Sequence, residues 1–373
     1  MIARHRRIWL LLALPFLFVP ALANIFGIAR PAEEASPLQA PHDVAEWLSL
    51  PRAVDAWLNG NFGLRAVMLR GNSELRYVLK SPTTQRAAYG EDGWLYLTDD
   101  AVFQQSMGLR MRVPLVTQLA DIAARLQTEL GARGARVVVA VPPNSQSIKR
   151  ETLPRWAKVD GVRTEYDVLR DALAERKIPF ADLRTLLREE EGRREVFLRT
   201  DTHWNNHGAL LAFNEVMRVA GRADWTVDPA RVETGIEDVK ENGLSRMIGL
   251  EGVLFDRQPV IDLTSYAPPR YRIEDLADRK EQPTYVATSE GNEGGPTVMV
   301  IGDSFTRYYF RELLMLRASR LIWTHHDQCG FDWALVERYK PDLLILAPTE
   351  RYGLCAPGRA PRNEPGVATD ARR

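Results

Sequence analysis

Two short segments hold the residue types that acyl chemistry needs. Asp201-Thr202-His203-Trp204-Asn205-Asn206-His207-Gly208 places a carboxylate two positions before a histidine. Gly302-Asp303-Ser304-Phe305 places a serine directly after the apolar run Thr297–Ile301. A serine hydroxyl is a weak nucleophile; it attacks an acyl carbon when a histidine takes its proton and a carboxylate orients that histidine. A serine at a strand-to-helix turn stands at the carboxyl edge of a parallel sheet, where ligands bind in such folds. Its backbone N–H, at the start of a helix, is a candidate oxyanion donor. Each segment alone also has a plainer reading: Ser304 as an N-cap, Asp201 as the cap of the next helix, His203 as a satisfied core histidine. A metal reading draws on His203 and His207, four apart, completed by Asp201, His325 and His326. The helical pattern starts only at Gly208, so His203 falls out of register and no metal is expected.

The elements that must position these residues follow from periodicity. Asp43–Leu79 reads as helix, with Val44, Trp47, Leu48, Leu64, Val67, Met68, Leu75, Val78 and Leu79 at three- and four-residue steps. Gly90-Glu91-Asp92-Gly93 is a turn before the strand Trp94–Leu97. Helix Val113–Leu130, strand Arg136–Val141, helix Thr164–Lys177, strand Ile178–Ala181 and helix His207–Ala220 alternate. A glycine- and proline-containing stretch, Gly221–Pro296, reads as a long irregular insertion. Alternation then resumes as strand Thr297–Ile301, helix Arg307–Arg317, strand Leu321–Thr324, helix Phe331–Tyr339 and strand Asp342–Ala347. Such alternation predicts an α/β fold with a parallel sheet covered on both faces. Trp47, Trp57 and Trp94 fall in hydrophobic patterns and are expected in the core. The segment from Gly353, rich in Pro, Gly and Arg, is expected to be disordered.

The first thirty residues set the address. Arg4, His5, Arg6 and Arg7 precede Ile8–Ile28, which carries no charge, and Arg30 follows. About 20 helical residues cross a hydrocarbon core, so an uncleaved signal anchor (residues 1–30) with a cytoplasmic N-terminus is favoured. A cleavable signal peptide ending at Ala21-Leu22-Ala23 is the alternative. Either exports the remainder. Pro31–Pro41 reads as a tether, giving a linker over 31–42, a body over 43–352 and a tail over 353–373. Outside the cytoplasm Cys329 and Cys355 could form one disulfide or stay as two buried thiols.

Composition narrows the classes. The 373 residues carry 49 basic and 49 acidic side chains. That balance excludes a strongly basic nucleic-acid binder, and two cysteines exclude a disulfide-dense scaffold. Neutrality is a sum of unlike parts, because residues 1–29 hold three arginines and no acid, while residues 30–351 hold 42 basic against 47 acidic residues. A mildly acidic body exerts no general pull on a polyanion and tilts the reading toward a neutral polymer.

The order strand–GDS–helix–strand–helix–strand from Thr297 resembles the first half of an SGNH (GDSL-type) esterase. From Arg136, strand–helix–strand–loop–D-x-H–helix resembles its second half. The halves stand in reversed order, as in a circular permutation. With DTHW upstream of GDSF, the chain resembles the alginate-type periplasmic polysaccharide O-acetyltransferases, the AlgJ/AlgX family. Asn61-Phe62-Gly63-Leu64-Arg65, Gly90–Tyr96, Val141-Pro142-Pro143-Asn144, Pro341–Leu346 and Glu350-Arg351-Tyr352 extend the similarity over roughly 43–352.

The resemblance implies an SGNH-hydrolase-like, circularly permuted three-layer α/β/α fold behind an N-terminal membrane anchor. It implies Ser304 as nucleophile, His203 as general base and acid, and Asp201 as the residue that orients His203. The implied enzyme needs no cofactor and moves acetyl groups to hydroxyls of an exported polysaccharide. Its implied place is the periplasm, anchored in the inner membrane, with a membrane-bound O-acyltransferase supplying the acetyl groups. The esterase asparagine block is absent: the matching strand end reads Ala347-Pro348-Thr349-Glu350-Arg351. Asn144, Arg307 and Tyr308 are the remaining candidates for oxyanion or substrate contacts. Where many members carry Lys after Pro-Pro, this chain has Asn144-Ser145. A polysaccharide acetylesterase would use the same three residues, and a non-catalytic polysaccharide-binding subunit would keep only the fold.

Overall fold

Apolar spacing before residue 80 produces two helices, α1 (Val44–Asn61) and α2 (Arg65–Val78). They appear in a computed structural model that describes residues 18–19, 38–61, 64–81, 86–240, 242–276 and 283–365. The chain divides into two units, Met1–Ser81 and Pro82–Arg373, so the single body expected over 43–352 is split. Trp47 is 62% exposed and Trp57 37% exposed, so neither is the core residue its pattern suggests. Except for Phe18 and Val19, the expected anchor lies outside the described residues. Among the described residues no helix is long and apolar enough to cross a membrane.

In the second unit, β1 (Ala87–Tyr89) and β2 (Leu95–Leu97) form an antiparallel pair. Asp92 and Gly93 turn the chain between them with φ of 53° and 81°, a conformation that glycine adopts at little cost. Trp94 is buried here, as expected. β5 (Glu233–Val239) and β6 (Asp256–Ile261) form a second antiparallel pair. The main sheet contains β3 (Arg136–Ala140), β4 (Phe180–Ala181), β7 (Arg270–Asp275), β8 (Thr284–Glu290), β9 (Thr297–Gly302), β10 (Arg320–His325) and β11 (Leu343–Ala347). Its order is β4-β3-β11-β9-β10-β8-β7. The first five run parallel, with β9 between β11 and β10. β8 pairs antiparallel with both β10 and β7. The sheet is therefore mixed, and the stretch expected to be irregular supplies two of its strands. Glycine and proline in the connections obscured them, although β8 buries Tyr285, Val286 and Ala287.

Alternation along the parallel strands divides the core in two. Val138, Val300 and Ile345 face one side, packed with α5 (Leu183–Glu191), α6 (Asn206–Val219) and α8 (Phe310–Met315). Val137, Met299 and Leu344 face the other, packed with α3 (Val113–Gly131), α4 (Glu165–Glu175) and α9 (Trp333–Tyr339). Helix α3 shows why: Val116, Leu119, Ala123, Leu126 and Leu130 recur at helical steps and are all buried. Thr164 and Asp167 close a capping box at the start of α4. The layers are helix, sheet, helix.

The tail departs from expectation as far as residue 365. Cys355 is bonded to Cys329, Arg362 bridges to Asp332, and Arg125 pairs with Glu364 at 2.7 Å. Leu354 and Cys355 are buried. Those contacts offset the low apolar content that predicted disorder.

Candidate active site

The segment carrying Asp201 and His203 is a tight loop closed by a single antiparallel bridge between Phe197 and Trp204. The Leu198 N–H donates to the His203 carbonyl at 3.2 Å. Trp204 is fully buried and stacks on Phe310 at 5.9 Å, so the loop is fixed by its apolar end. Asn205, not Asp201, caps α6, accepting from the Gly208 N–H at 2.9 Å.

Asp201 is instead committed to His203. Its Oδ1 accepts from the His203 backbone N–H at 3.0 Å and lies 2.6 Å from His203 Nδ1. Its Oδ2 accepts from the Gly243 N–H, the first residue of the short helix Gly243–Met247. A Cβ at Gly243 would stand 3.0 Å from that oxygen, so any larger residue there would press on the Asp201 carboxylate. Burial pushes the Asp201 carboxyl up, but hydrogen bonding and proximity to His203, with the Gly243 N–H, outweigh it and hold the pKa at about 2.

Ser304 follows β9 at the carboxyl edge of the parallel strands and opens α7 (Ser304–Arg307). Gly302 precedes the turn where a Cβ would meet Thr306 Oγ1 at 2.3 Å. Asp303 is the N-cap, accepting from the Phe305 N–H at 3.1 Å, which leaves the Ser304 side chain out of capping. Ser304 Oγ lies 2.8 Å from His203 Nε2. The Nδ1 contact with Asp201 favours the proton on Nδ1, so Nε2 faces the serine as an acceptor. This is the arrangement in which a serine can be deprotonated as it attacks an acyl carbon.

Behind the serine lies a network that sequence reasoning did not assign. Asp303 Oδ2 accepts from the Thr349 N–H at 2.8 Å and the Thr349 hydroxyl at 2.5 Å. His326 Nδ1 accepts from the Gln328 N–H, which places its proton on Nε2, 3.5 Å from Asp303 Oδ2. Burial pushes the Asp303 carboxyl up, but His326, Arg351 and Thr349 together hold it well below the usual carboxylate range. The Arg351 guanidinium stands 5.7 Å over the Phe305 ring and donates to Asn144 Oδ1 at 3.2 Å. The only signal for Arg351 was its place in Glu350-Arg351-Tyr352.

The other expected residues divide. Asn144, four residues beyond β3 at the start of the short helix Ser145–Ile148, is buried, with its backbone N–H on Glu350 and its Nδ2 buried without a hydrogen-bond partner. Tyr308 is 67% exposed and stands edge-on to His203 at 6.4 Å between ring centres. Arg307 lies 5.6 Å over the Trp323 ring and 5.9 Å over that of Tyr308. Of the residues of the metal reading, Asp201 and His203 pair with each other, and His325 and His326 stack with ring centres 4.6 Å apart. His203 faces Ser304, while His207 faces Glu233 at 2.6 Å and Glu190 at 3.2 Å. Among the described residues, no three His, Cys, Asp or Glu side chains are grouped to hold a metal ion.

The layered sheet and the serine turn at its edge define an SGNH-hydrolase-like α/β protein. A family model described as "SGNH hydrolase-like domain, acetyltransferase AlgX" matches residues 87–339, more than half of the chain. The chain belongs to this family, the alginate-type O-acetyltransferases. It is 27% identical over 311 residues to "Probable alginate O-acetylase AlgJ" of Pseudomonas aeruginosa, an alignment covering 80% of this chain and 70% of that one. The protein of the same name from Pseudomonas fluorescens is 23% identical over 261 residues, covering 68% of this chain and 62% of its own length. Among solved structures, Bacillus cereus PatB1 with a sulfonyl adduct superposes with a TM-score of 0.51 at 10% identity, over 74% of this chain and 99% of that one, a likeness of fold.

Proposed function

We propose that this chain transfers acetyl groups to hydroxyls of an exported polysaccharide through an acetyl-Ser304 intermediate. The observation that carries the reading is the continuous line from Asp201 through His203 to Ser304, with contacts of 2.6 and 2.8 Å. Ser304 Oγ attacks the acetyl carbonyl as its proton passes to His203 Nε2. The tetrahedral oxyanion takes a hydrogen bond from the Ser304 N–H. Collapse breaks the bond to the donor oxygen, which leaves with the proton from His203. A sugar hydroxyl then gives its proton to His203 and attacks the acetyl-serine; collapse returns the proton to Ser304. Asp201 keeps the imidazole oriented and stabilises its charged form.

The sheet order supports a circularly permuted reading. The serine strand β9 lies between β10 and β11, and β3 and β4, earlier in the chain, continue the sheet beyond β11. The basic cluster and the apolar run Ile8–Ile28 support an inner-membrane anchor and a periplasmic body. The Cys329–Cys355 disulfide supports an oxidising compartment. A membrane-bound O-acyltransferase is the proposed source of acetyl groups, and the body takes part in exopolysaccharide acetylation.

The test is incubation of the full-length protein, in detergent, with an aryl acetate and polymer oligosaccharides. Acetylated oligosaccharide and a mass gain of one acetyl group on Ser304 are expected. Free acetate alone, whatever the acceptor, would make the protein an esterase and defeat the transferase reading.

A further inference from the structure

A cavity of about 210 Å³ is walled by the β5–β6 pair on one side and the segment after Ser304 on the other. Asn206, Glu237, Tyr308, Tyr309 and Glu312 supply its polar and aromatic lining. Two lining residues connect it to the reacting histidine, which does not itself line it: the Tyr308 and Tyr309 rings each centre 6.4 Å from the His203 ring. Asn206 is three residues beyond His203, with its side-chain amide directed to the Pro259 carbonyl at 2.9 Å.

We propose that this cavity is the acceptor subsite and that it is built for an uncharged sugar unit; the inference rests on the transferase reading above. Tyr308, largely exposed, offers an aromatic face to the C–H surface of a pyranose ring. Carboxylates accept hydrogen bonds from sugar hydroxyls and donate none when ionised. Glu237 already takes one from Gln258 Nε2 at 2.8 Å through Oε1, and Glu312 stands on the opposite wall. No lysine, arginine or histidine is among the lining residues. Arg307, one residue before Tyr308, does not line it; its guanidinium lies over the Trp323 ring at 5.6 Å and over the Tyr308 ring at 5.9 Å. A uronate carboxylate in this cavity would face two carboxylates and, among the described lining residues, no cation, a juxtaposition that disfavours binding. Hydroxyls of a neutral sugar meet the same carboxylates as partners. The acidic balance of residues 30–351 acts in the same direction.

Binding separates this inference from the chemistry. Full-length Ser304→Ala protein in detergent is titrated calorimetrically with cello-, manno- and laminari-hexasaccharides and with a mannuronan hexasaccharide. At least one neutral oligomer is expected to bind about tenfold or more tightly than the uronate. Adding Tyr308→Ala should weaken that binding by about tenfold. Adding Glu237→Gln and Glu312→Gln together should narrow the gap by strengthening uronate binding. Equal or tighter uronate binding, no neutral binding, or neutral binding indifferent to Tyr308→Ala overturns the proposal. The unsubstituted protein is tested separately for acetyl transfer. Transfer with a uronate preference leaves the transferase reading standing and removes this one; neutral binding without an acetyl-Ser304 removes the transferase reading and the acceptor role with it, leaving a neutral-sugar site.

Discussion

Asp303 and Thr349 join the serine turn to the end of the neighbouring strand: one carboxylate oxygen accepts both the Thr349 N–H, at 2.8 Å, and its hydroxyl, at 2.5 Å. Both groups are buried. The other carboxylate oxygen caps the helix that Ser304 begins. Asp303 therefore fixes the height of Ser304 relative to β11 without touching the reacting atoms.

Removing that carboxylate leaves the Phe305 and Thr349 donors without partners in a buried place, at a cost of ~1–3 kcal/mol for each orphaned group. Asp303→Ala is expected to lower the urea midpoint and to reduce aryl-acetate turnover in kcat more than in KM. Asp303→Asn, which keeps one acceptor oxygen, should recover part of both. Paired unfolding curves and steady-state kinetics check it, and an Asp303→Ala protein with unaltered kcat would show that the strand tie does not position Ser304.

The Asp201–His203–Ser304 line predicts a specific pattern of losses. Ser304→Ala and His203→Ala should each reduce acetyl-ester turnover by ~10³-fold or more, and the double variant should lose little further, because the residues act as a unit. Gly243→Ala tests the support. Its Cβ would stand 3.0 Å from Asp201 Oδ2, so Asp201 must shift, and a loss of about tenfold with a normal fold is expected. Turnover rates with circular dichroism as the folding control decide it.

How far the residue order alone foretold this site depends on the range of each contact. Ser304, His203 and Asp201 were singled out because each sits in a local pattern, a strand-to-helix turn or a two-residue spacing. Each pattern alone also had a plainer reading, and only the family resemblance implied their joint role. Gly243, Thr349 and Arg351 were not legible. Each acts through a contact made across the fold, 42 positions from Asp201 in the case of Gly243. The five parallel strands were legible from apolar runs, whereas β7 and β8 lay hidden among turn residues. Trp47 and Trp57 show the reverse error: helical spacing marks an apolar stripe, and a stripe does not say what it packs against.

Acid should weaken the fold through groups around this site. Asp201, at about 2, and Asp303, lower still, bind fewer protons folded than unfolded. Each contributes stability above the ordinary carboxylate range that is lost as pH falls through the folded pKa. His325 is pushed down to about 4, first by burial and then by the neighbouring His326, so between its ordinary value of 6.5 and 4 the unfolded chain takes up the extra proton. All three signs agree. The buried Glu350 and Asp256 carboxyls are pushed up by burial and act in the opposite direction, so the test is a difference. From pH 7 to pH 4 the urea midpoint of the unsubstituted protein should fall relative to that of His325→Asn, and parallel curves for the two proteins contradict the assignment.

The disulfide ties together the two segments that back the serine. Cys329 follows His325 and His326, and Cys355 follows Arg351, so one covalent bond holds the loops that supply the partners of Asp303 and Asn144. It closes a separation of 26 residues, for which the chain-entropy relation gives ~3.5 kcal/mol at room temperature. Its loss should act on stability and, through the segment carrying Arg351, on chemistry; that segment is also tied by the Tyr352 hydroxyl on Asp100 at 2.6 Å, by Gln105 on the Arg351 carbonyl at 3.2 Å and by Glu350 on the Asn144 N–H at 2.8 Å. Cys329→Ala with Cys355→Ala, or reduction with a dithiol, is expected to lower Tm by several degrees and to lower kcat at a temperature where the protein remains folded. Arg351→Ala in the oxidised protein separates the two effects: the same fall in kcat without the fall in Tm places the catalytic share of the disulfide in the position of Arg351. A reduced protein with full kcat would confine the bond to stability.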